Sequence, residues 1–432
     1  MKSKVFIKPV QDDLDAAVRD CFDTFGGADE FVKENVFIKI NGTTADINSI
    51  TKPEVVVAAI NVLKDAKNPP KKIYVFDNAA VGGFTRLVFK AGNMAKKVKK
   101  AGAKPLYLDE LKPTYIDFNG KILRKNIPVP KFLYESLVLN KDKNAYINIP
   151  ILKSHVMCGV TICIKNQHGL LYGDEKIYGH DQINDKILDI MEIFKPDFNI
   201  VDATSVVDYG PLCIDDSYVR EMGILLSGID PVAVDTIGSK IIEIEEAPHI
   251  SMAAERGFGT NNLQEIEVLP SEDLIGQYKI PLNWKGSPLE TPAEMLVIEG
   301  KENKGCITGC GCLKFFLAAL AKDNQPKPVI GICGKGFNKS DLNNYSGPFI
   351  VNGPCAVSEL KEYFKERQRK EKIDVSYIDA HLDLATMMTT ARKAMGLSIM
   401  EAYGTVIPVG LGGLIRYQLS SKLHGGNFSA AK

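Results

Sequence analysis

The 432-residue chain has no net charge, because its 53 Lys and Arg are matched by 53 Asp and Glu. Without surplus positive charge there is little to neutralise a phosphate backbone, so no nucleic-acid partner is expected. A long hydrophobic run is also missing. The most apolar stretch, 405–415, is too short for a bilayer and is interrupted by Pro408 and by glycines, which excludes a membrane partner at this stage. The opening residues Met1-Lys2-Ser3-Lys4 run straight into a strand-like segment, Val5 to Val10, with no apolar signal core, so a cytoplasmic location is expected. There is neither a G-x-G-x-x-G nor a P-loop, hence no implied nucleotide site. No internal repeat and no low-complexity segment occurs.

What is present is an ordinary globular composition, 45% hydrophobic and 25% charged, in a chain longer than one core usually supports. Near-continuous apolar runs predict strands at Val36–Ile40, Lys72–Phe76, Pro105–Leu108, Ala145–Ile149, Phe198–Val201 and Gly223–Leu226. Strands of that kind are covered on both faces in a parallel sheet. Between them lie predicted helices at Pro53–Ala66, Leu87–Ala101 and Pro231–Glu246, the last with Asp230 as N-cap and proline at its first position. The expected fold class is therefore α/β, a mostly parallel doubly wound sheet over residues 1–270. A proline-rich linker is expected over 271–300. A smaller cysteine-containing α/β domain is expected over 301–432, with strands at Pro328–Ile332 and Phe349–Val351 and a charged helix at Ala356–Lys372.

Nine cysteines occur, and five of them, Cys306, Cys310, Cys312, Cys333 and Cys355, fall within one stretch of about fifty residues. In a large cytosolic chain such clustering argues for metal or redox chemistry rather than structural disulfides. The segment Cys306-Ile-Thr-Gly-Cys310-Gly-Cys312 puts three thiols on a glycine-loosened backbone, and Cys333 and Cys355 sit at element ends beside further glycines. Cysteine sulfur is the usual ligand of an iron–sulfur cluster, here of 4Fe-4S type. Zinc is the lesser alternative, because structural zinc sites usually show paired C-x-x-C knuckles. Five unrelated small residues in a glycine-rich region are the plain alternative.

In parallel sheets, ligands bind beyond the carboxyl ends of strands. Strand Ala145–Ile149 leads into Lys153-Ser154-His155, and the same segment continues to Lys165, Asn166, His168 and His180. Lysine supplies charge for an anion, and histidine moves protons near neutral pH. Lys153, His155 and Lys165 are thus catalytic candidates. Lys39 and Asn41 close the first sheet strand, while Asn78, Gly82, Gly83, Thr85 and Arg86 connect the next strand to a helix. With Asn166 they are candidates for holding a small anionic molecule. Asp202 and Asp208-Tyr209-Gly210-Pro211 follow a third strand in the same geometry. For any single residue here, a solvated or structural role is the competing interpretation.

These motifs, in order, carry a resemblance. Lys39-x-Asn41, Thr51-x-Pro53-Glu54, Asp77-Asn78…Gly82-Gly83-x-Thr85, Pro150-x-Leu152-Lys153-Ser154-His155…Gly159-Val160-Thr161…Lys165-Asn166-x-x-Gly169, Val201-Asp202-Ala203…Gly210-Pro211 and Gly228-Ile229-Asp230-Pro231 follow one another along the chain. Over roughly residues 35–260 this resembles the domain-of-unknown-function 362 family. The resemblance implies an iron–sulfur association, although Cys306-x3-Cys310-x-Cys312 departs from ferredoxin-like C-x-x-C-x-x-C runs. The expected function is a cytoplasmic iron–sulfur redox enzyme acting on a small anionic molecule, with a possible electron-transfer protein or second copy of the chain as partner. The alternatives are a non-catalytic iron–sulfur or zinc protein with a structural, sensor or assembly role, and a Lys/His-dependent isomerase or racemase.

Overall fold

A computed structural model describes residues 2–11, 13–80, 84–176, 182–284, 295–303, 310–321, 324–381, 384–404, Leu419 and Leu423. Gly82, Gly83, His180 and Cys306, and the apolar stretch 405–415, lie outside these residues. The chain divides into two compact units, the first covering Met1–Asn283 and the second opening at Trp284. Among the described residues no helix is long and apolar enough to cross a membrane.

The strands of the first unit are β1 (Ser3–Pro9), β2 (Asn35–Ile40), β3 (Lys72–Asp77), β4 (Lys104–Tyr107), β5 (Pro113–Ile116), β6 (Ile127–Pro130), β7 (Asn144–Ile149), β8 (Ile151–His155), β9 (Gly159–Thr161), β10 (Phe198–Val207), β11 (Val219–Gly228) and β12 (Ile266–Leu269). Its helices are α1 (Leu14–Asp23), α2 (Pro53–Lys64), α3 (Thr85–Lys90), α4 (Met94–Lys100), α5 (Lys131–Tyr134), α6 (Cys163–Asn166), α7 (Ile183–Ile193), α8 (Pro231–Ile241), α9 (Pro248–Glu255) and α10 (Asp273–Gln277). The main sheet runs β12-β1-β11-β10-β7-β2-β3-β4, with β8 attached to β10 and β9 to β8. β10, β7, β2, β3 and β4 are mutually parallel.

Alternate residues of the central strands enter opposite cores. Val36, Ile38, Ile40, Ala145, Ile147 and Ile149 pack with residues of α1, α2 and α4. Phe37, Phe76 and Tyr146 face the other way, toward Leu133, Ile190 and Phe194. Both faces are covered, which is why these strands read as unbroken apolar runs.

Three details depart from the sequence expectation. β11, expected as one more parallel strand, pairs antiparallel with both β1 and β10. The connection from β10 is only eleven residues (208–218), which suits a hairpin-like return and leaves no room for a helical crossover. The helix expected at Leu87–Ala101 breaks into α3 and α4, because Gly92 and Asn93 take left-handed backbone angles (φ 55° and 60°). The helix from Pro231 ends at Ile241, five residues short of the expected limit.

The second unit is a parallel sheet of β13 (Met295–Glu299), β14 (Val329–Cys333), β15 (Phe349–Asn352) and β16 (Val375–Ile378), in sequence order. Its helices are α11 (Leu313–Ala321), α12 (Pro354–Lys370), α13 (Leu384–Ala394) and α14 (Ile399–Gly404). Ile332, Phe349 and Val351 pack against Ala356, Val357, Leu360 and Phe364 of α12. Part of the stretch expected as linker is ordered, since α10 and β13 both fall within 271–300.

Candidate functional site

In the first unit the strand ends gather a buried polar network. Lys39 and Asn148 are register partners on β2 and β7, and both are fully buried. The Lys39 ammonium donates to Asp77 Oδ1 (2.6 Å) at the end of β3, to the Ile40 carbonyl (3.0 Å) and to Asn166 Oδ1 (3.4 Å). Asp77 also accepts from the Gly42 amide. Burial lowers the Lys39 pKa, and Asp77 counters part of that shift.

From Asn166 a chain of side-chain hydrogen bonds extends in both directions. Asn166 donates to Asn148 Oδ1 (2.8 Å), and Asn148 donates to Asn199 Oδ1 (3.0 Å). On the other side Asn41 donates to Asn166 Oδ1 (2.9 Å), and Lys153 donates to Asn41 Oδ1 (3.0 Å) and to the Ser49 carbonyl (2.7 Å). Four expected residues, Lys39, Asn41, Lys153 and Asn166, are therefore held as one unit. Linked amide dipoles strengthen one another in a low-dielectric interior.

Lys153 differs from Lys39 in having no carboxylate partner among the described residues; its contacts are neutral oxygens. Burial and the nearby Lys165 charge push its pKa down to about 7. Lys165, on α6, is half-buried, and desolvation lowers its pKa as well. Its ammonium makes no hydrogen bond or ion pair to a described residue. Lys176 joins the same region: it donates to the Ala79 carbonyl, and burial brings it to about 7 despite Asp109 and Asp77. The carboxyl edge of the sheet thus gathers four ammonium groups, Lys39, Lys153 and Lys176 buried and Lys165 half-buried. That suits a small anion.

The other expected residues hold positions around this core. His155 ends β8, and its Nδ1 accepts from the Met157 amide (3.1 Å). Asn78 donates to the Leu171 carbonyl (2.8 Å). Thr85 accepts from the Ala79 amide (2.9 Å), while its own amide donates to Asp109 (3.0 Å). Arg86 makes a two-pronged pair with Glu110 (2.8 and 2.6 Å) and stacks on Tyr107, so its guanidinium is engaged within the fold. Sequence reasoning missed Asn148, Asn199 and Ser49. The asparagines stand inside strands that otherwise read as apolar, and that break in pattern was the available signal. It also missed His249, fully buried on α9. A cleft of about 350 Å³ lined by Phe37, Tyr74 and Phe132 opens at the opposite, amino end of the same strands.

In the second unit Cys310, Cys312 and Cys333 gather at the carboxyl edge of the small sheet. Cys333 is the last residue of β14, opposite Asn352 on β15. Asn352 donates to the Cys310 carbonyl (3.2 Å). At Gly353 (φ 95°) a Cβ atom would stand 2.8 Å from Cys310 Cβ and 2.9 Å from its sulfur, so only glycine lets Cys310 lie there. Cys355 is the second residue of α12, at the positive end of that helix dipole. Cys312 and Cys333 are buried, and their pKa values are driven strongly upward, first by desolvation and then by the Cys310 charge. Cys310, Cys312 and Cys333 are thus close enough to share an electrostatic environment, with Cys355 one residue beyond Pro354. No three His, Cys, Asp or Glu side chains among the described residues already stand in metal-binding geometry.

With both sites in view, the chain was compared with known proteins. It is 26% identical over 286 residues to a thylakoid-associated protein of Synechocystis sp., an alignment covering 62% of this chain and 83% of the relative. Residues 36–240 match the family model described as Domain of unknown function (DUF362), and that span contains Lys39, Asn41, Asp77, Lys153, Asn166 and Gly169. Over residues 36–240 the chain is thus similar to the DUF362 family.

Proposed function

We propose that this chain is a cytoplasmic iron–sulfur protein, a redox enzyme whose first unit binds a small anionic molecule at its strand ends. The reading rests on the placement of Cys310 beside Cys333, Asn352 and Gly353, with Cys312 and Cys355 adjoining. Several thiols buried together resist ionisation, as the upward shifts of Cys312 and Cys333 express. A cationic centre reverses that preference, because metal coordination deprotonates thiols outright. Cys310, Cys312, Cys333 and Cys355 would hold the centre, together with Cys306. When bound, an iron–sulfur cluster supplies one-electron transfer. The chain's own contribution is to bury the sulfurs and to place the amino end of α12 beside their charge. In the first unit, Lys153 and Lys165 provide positive charge for the anion, on a scaffold held rigid by the Asn41–Asn166–Asn148 chain.

The test is anaerobic purification of the full chain with iron, acid-labile sulfide and visible absorption measured together. The expected result is a brown protein with iron and sulfide in equal amounts, both lowered by Cys333→Ser and by Cys355→Ser. A colourless protein containing only zinc would overturn the iron–sulfur reading. One observation favours the isomerase or racemase alternative: Lys165, with its lowered pKa and no bonded partner among the described residues, suits a proton carrier. On that alternative, turnover survives loss of every cysteine between 306 and 355.

A further inference from the structure

We propose that Lys165, His249 and Thr161 line a pocket that binds a small carboxylate within the first unit. This rests on the anion-binding half of the reading above and deepens it. His249 lies on α9, which packs against α6, α7 and α8. Its ring is fully buried, yet neither Nδ1 nor Nε2 has a hydrogen-bond partner among the described residues. An imidazole always carries at least one N–H, and native interiors rarely leave both nitrogens unmet. The charge that reaches this ring is that of Lys165, on the adjoining α6.

Thr161 Oγ1 is a second buried polar atom without a described partner. Thr161 stands opposite Lys153 in the β8–β9 ladder, so the two side chains share one face. Lys165 sits on α6, which packs against both β9 and α9, and its charge reaches Lys153, Cys158 and His249. Three groups with unmet hydrogen-bonding capacity among the described residues therefore sit on α6 and on two elements packed against it, β9 and α9: an ammonium, a neutral imidazole and a hydroxyl.

That inventory matches one negative charge. A carboxylate oxygen accepts from Lys165, the other from Thr161 or the imidazole N–H, and the second imidazole nitrogen is left to accept from a hydroxyl on the ligand. Burial and the Lys165 charge hold His249 neutral, so it adds no second positive charge for a phosphate dianion. Asp235 is near α6 as well, but its carboxylate oxygens are occupied by the Cys163 and Ile164 amides (2.8 and 3.0 Å).

The experiment titrates the full chain with acetate, glycolate and inorganic phosphate, reading affinity by calorimetry and the imidazole 15N resonances of His249 by NMR. Acetate and glycolate are expected to bind, glycolate more tightly, and to shift those resonances. Thr161→Val and His249→Gln are each expected to weaken binding about tenfold, the usual effect of one lost hydrogen bond to a charged group, and Lys165→Met to abolish it. Thr161→Val removes only a hydroxyl, so it remains informative should His249→Gln unfold. Phosphate binding as tightly as the carboxylates would overturn the ligand class. Carboxylate binding that leaves His249 unmoved and is unchanged in Thr161→Val, but weakened in Lys153→Met, would overturn this pocket while sparing the broader anion site. No binding of any anion would overturn both. Iron and sulfide content, which none of these variants touches, reports separately on the cluster.

Discussion

Gly169 shows how narrowly the buried charges of the first unit are fitted. A Cβ atom there would stand 2.6 Å from Asp77 Oδ1 and 2.8 Å from the Lys39 ammonium, inside the contact distance of either. Gly169→Ala must push the pair apart, and a broken buried ion pair leaves desolvated charge without compensation. The expected cost is about 3–5 kcal/mol of unfolding free energy, read from the urea midpoint. Lys39→Met with Asp77→Leu removes both charges and is expected to recover most of that stability, because replacing a buried pair by apolar groups is often neutral. Recovery of fold without recovery of anion binding would separate the structural role of Lys39 from its role in the site. At this scale the sequence was informative about residue type and silent about partner. Lys39, Asn41, Lys153 and Asn166 were legible as strand-end polar groups. That Arg86 spends its charge on Glu110 depends on the approach of residues 24 positions apart.

Among the elements, α8, like α2, starts at the residue the sequence located. Asp230 accepts from the Val232 and Ala233 amides (2.9 and 3.0 Å), and Pro231 occupies the first helical position. The same carboxylate accepts from Ser3 Oγ (2.7 Å) and the Thr260 amide (3.0 Å), joining β1 and the loop after α9 to the helix start. Loss of an ordinary N-cap costs about 1 kcal/mol. Asp230→Ala removes two tertiary bonds besides the cap, so about 2–3 kcal/mol is expected in denaturant unfolding, with Asp230→Asn recovering part of it. The break between α3 and α4 was less legible. Gly92 lies against Ile47 and Pro53, and the left-handed turn there answers to packing from a distant segment. The antiparallel setting of β11 was illegible for a similar reason: an apolar run records burial on both faces, not the direction of its neighbours.

For the whole molecule, buried lysines set the pH dependence of folding. Lys153 and Lys176 titrate near 7 in the folded chain, against an ordinary lysine value of 10.5. Between those values the unfolded chain binds protons that the folded chain does not, so stability rises with pH. Asp235, raised to about 7, acts in the opposite direction, and its effect fades within about one pH unit above that value. Cys21 and Cys158 are raised to about 12 and about 11 from 9.0, so they erode stability only at more alkaline pH. From pH 7 to 8.5 the two lysines therefore outweigh Asp235, each contributing a slope of up to about 1.4 kcal/mol per pH unit. Urea midpoints across that window are expected to rise, and Lys153→Met is expected to flatten the rise.

The positions of the central parallel strands, the helix start at Asp230, the α/β class and the strand-end lysines followed from the sequence alone, because local pattern and burial are written in residue type and spacing. Tertiary structure alone decided which ammonium finds a carboxylate among the described residues, that Gly353 makes room for Cys310, and that His249 is buried with both nitrogens unmet by any described residue. Those outcomes turn on distances between side chains far apart in the chain, and spacing along a sequence carries no information about them.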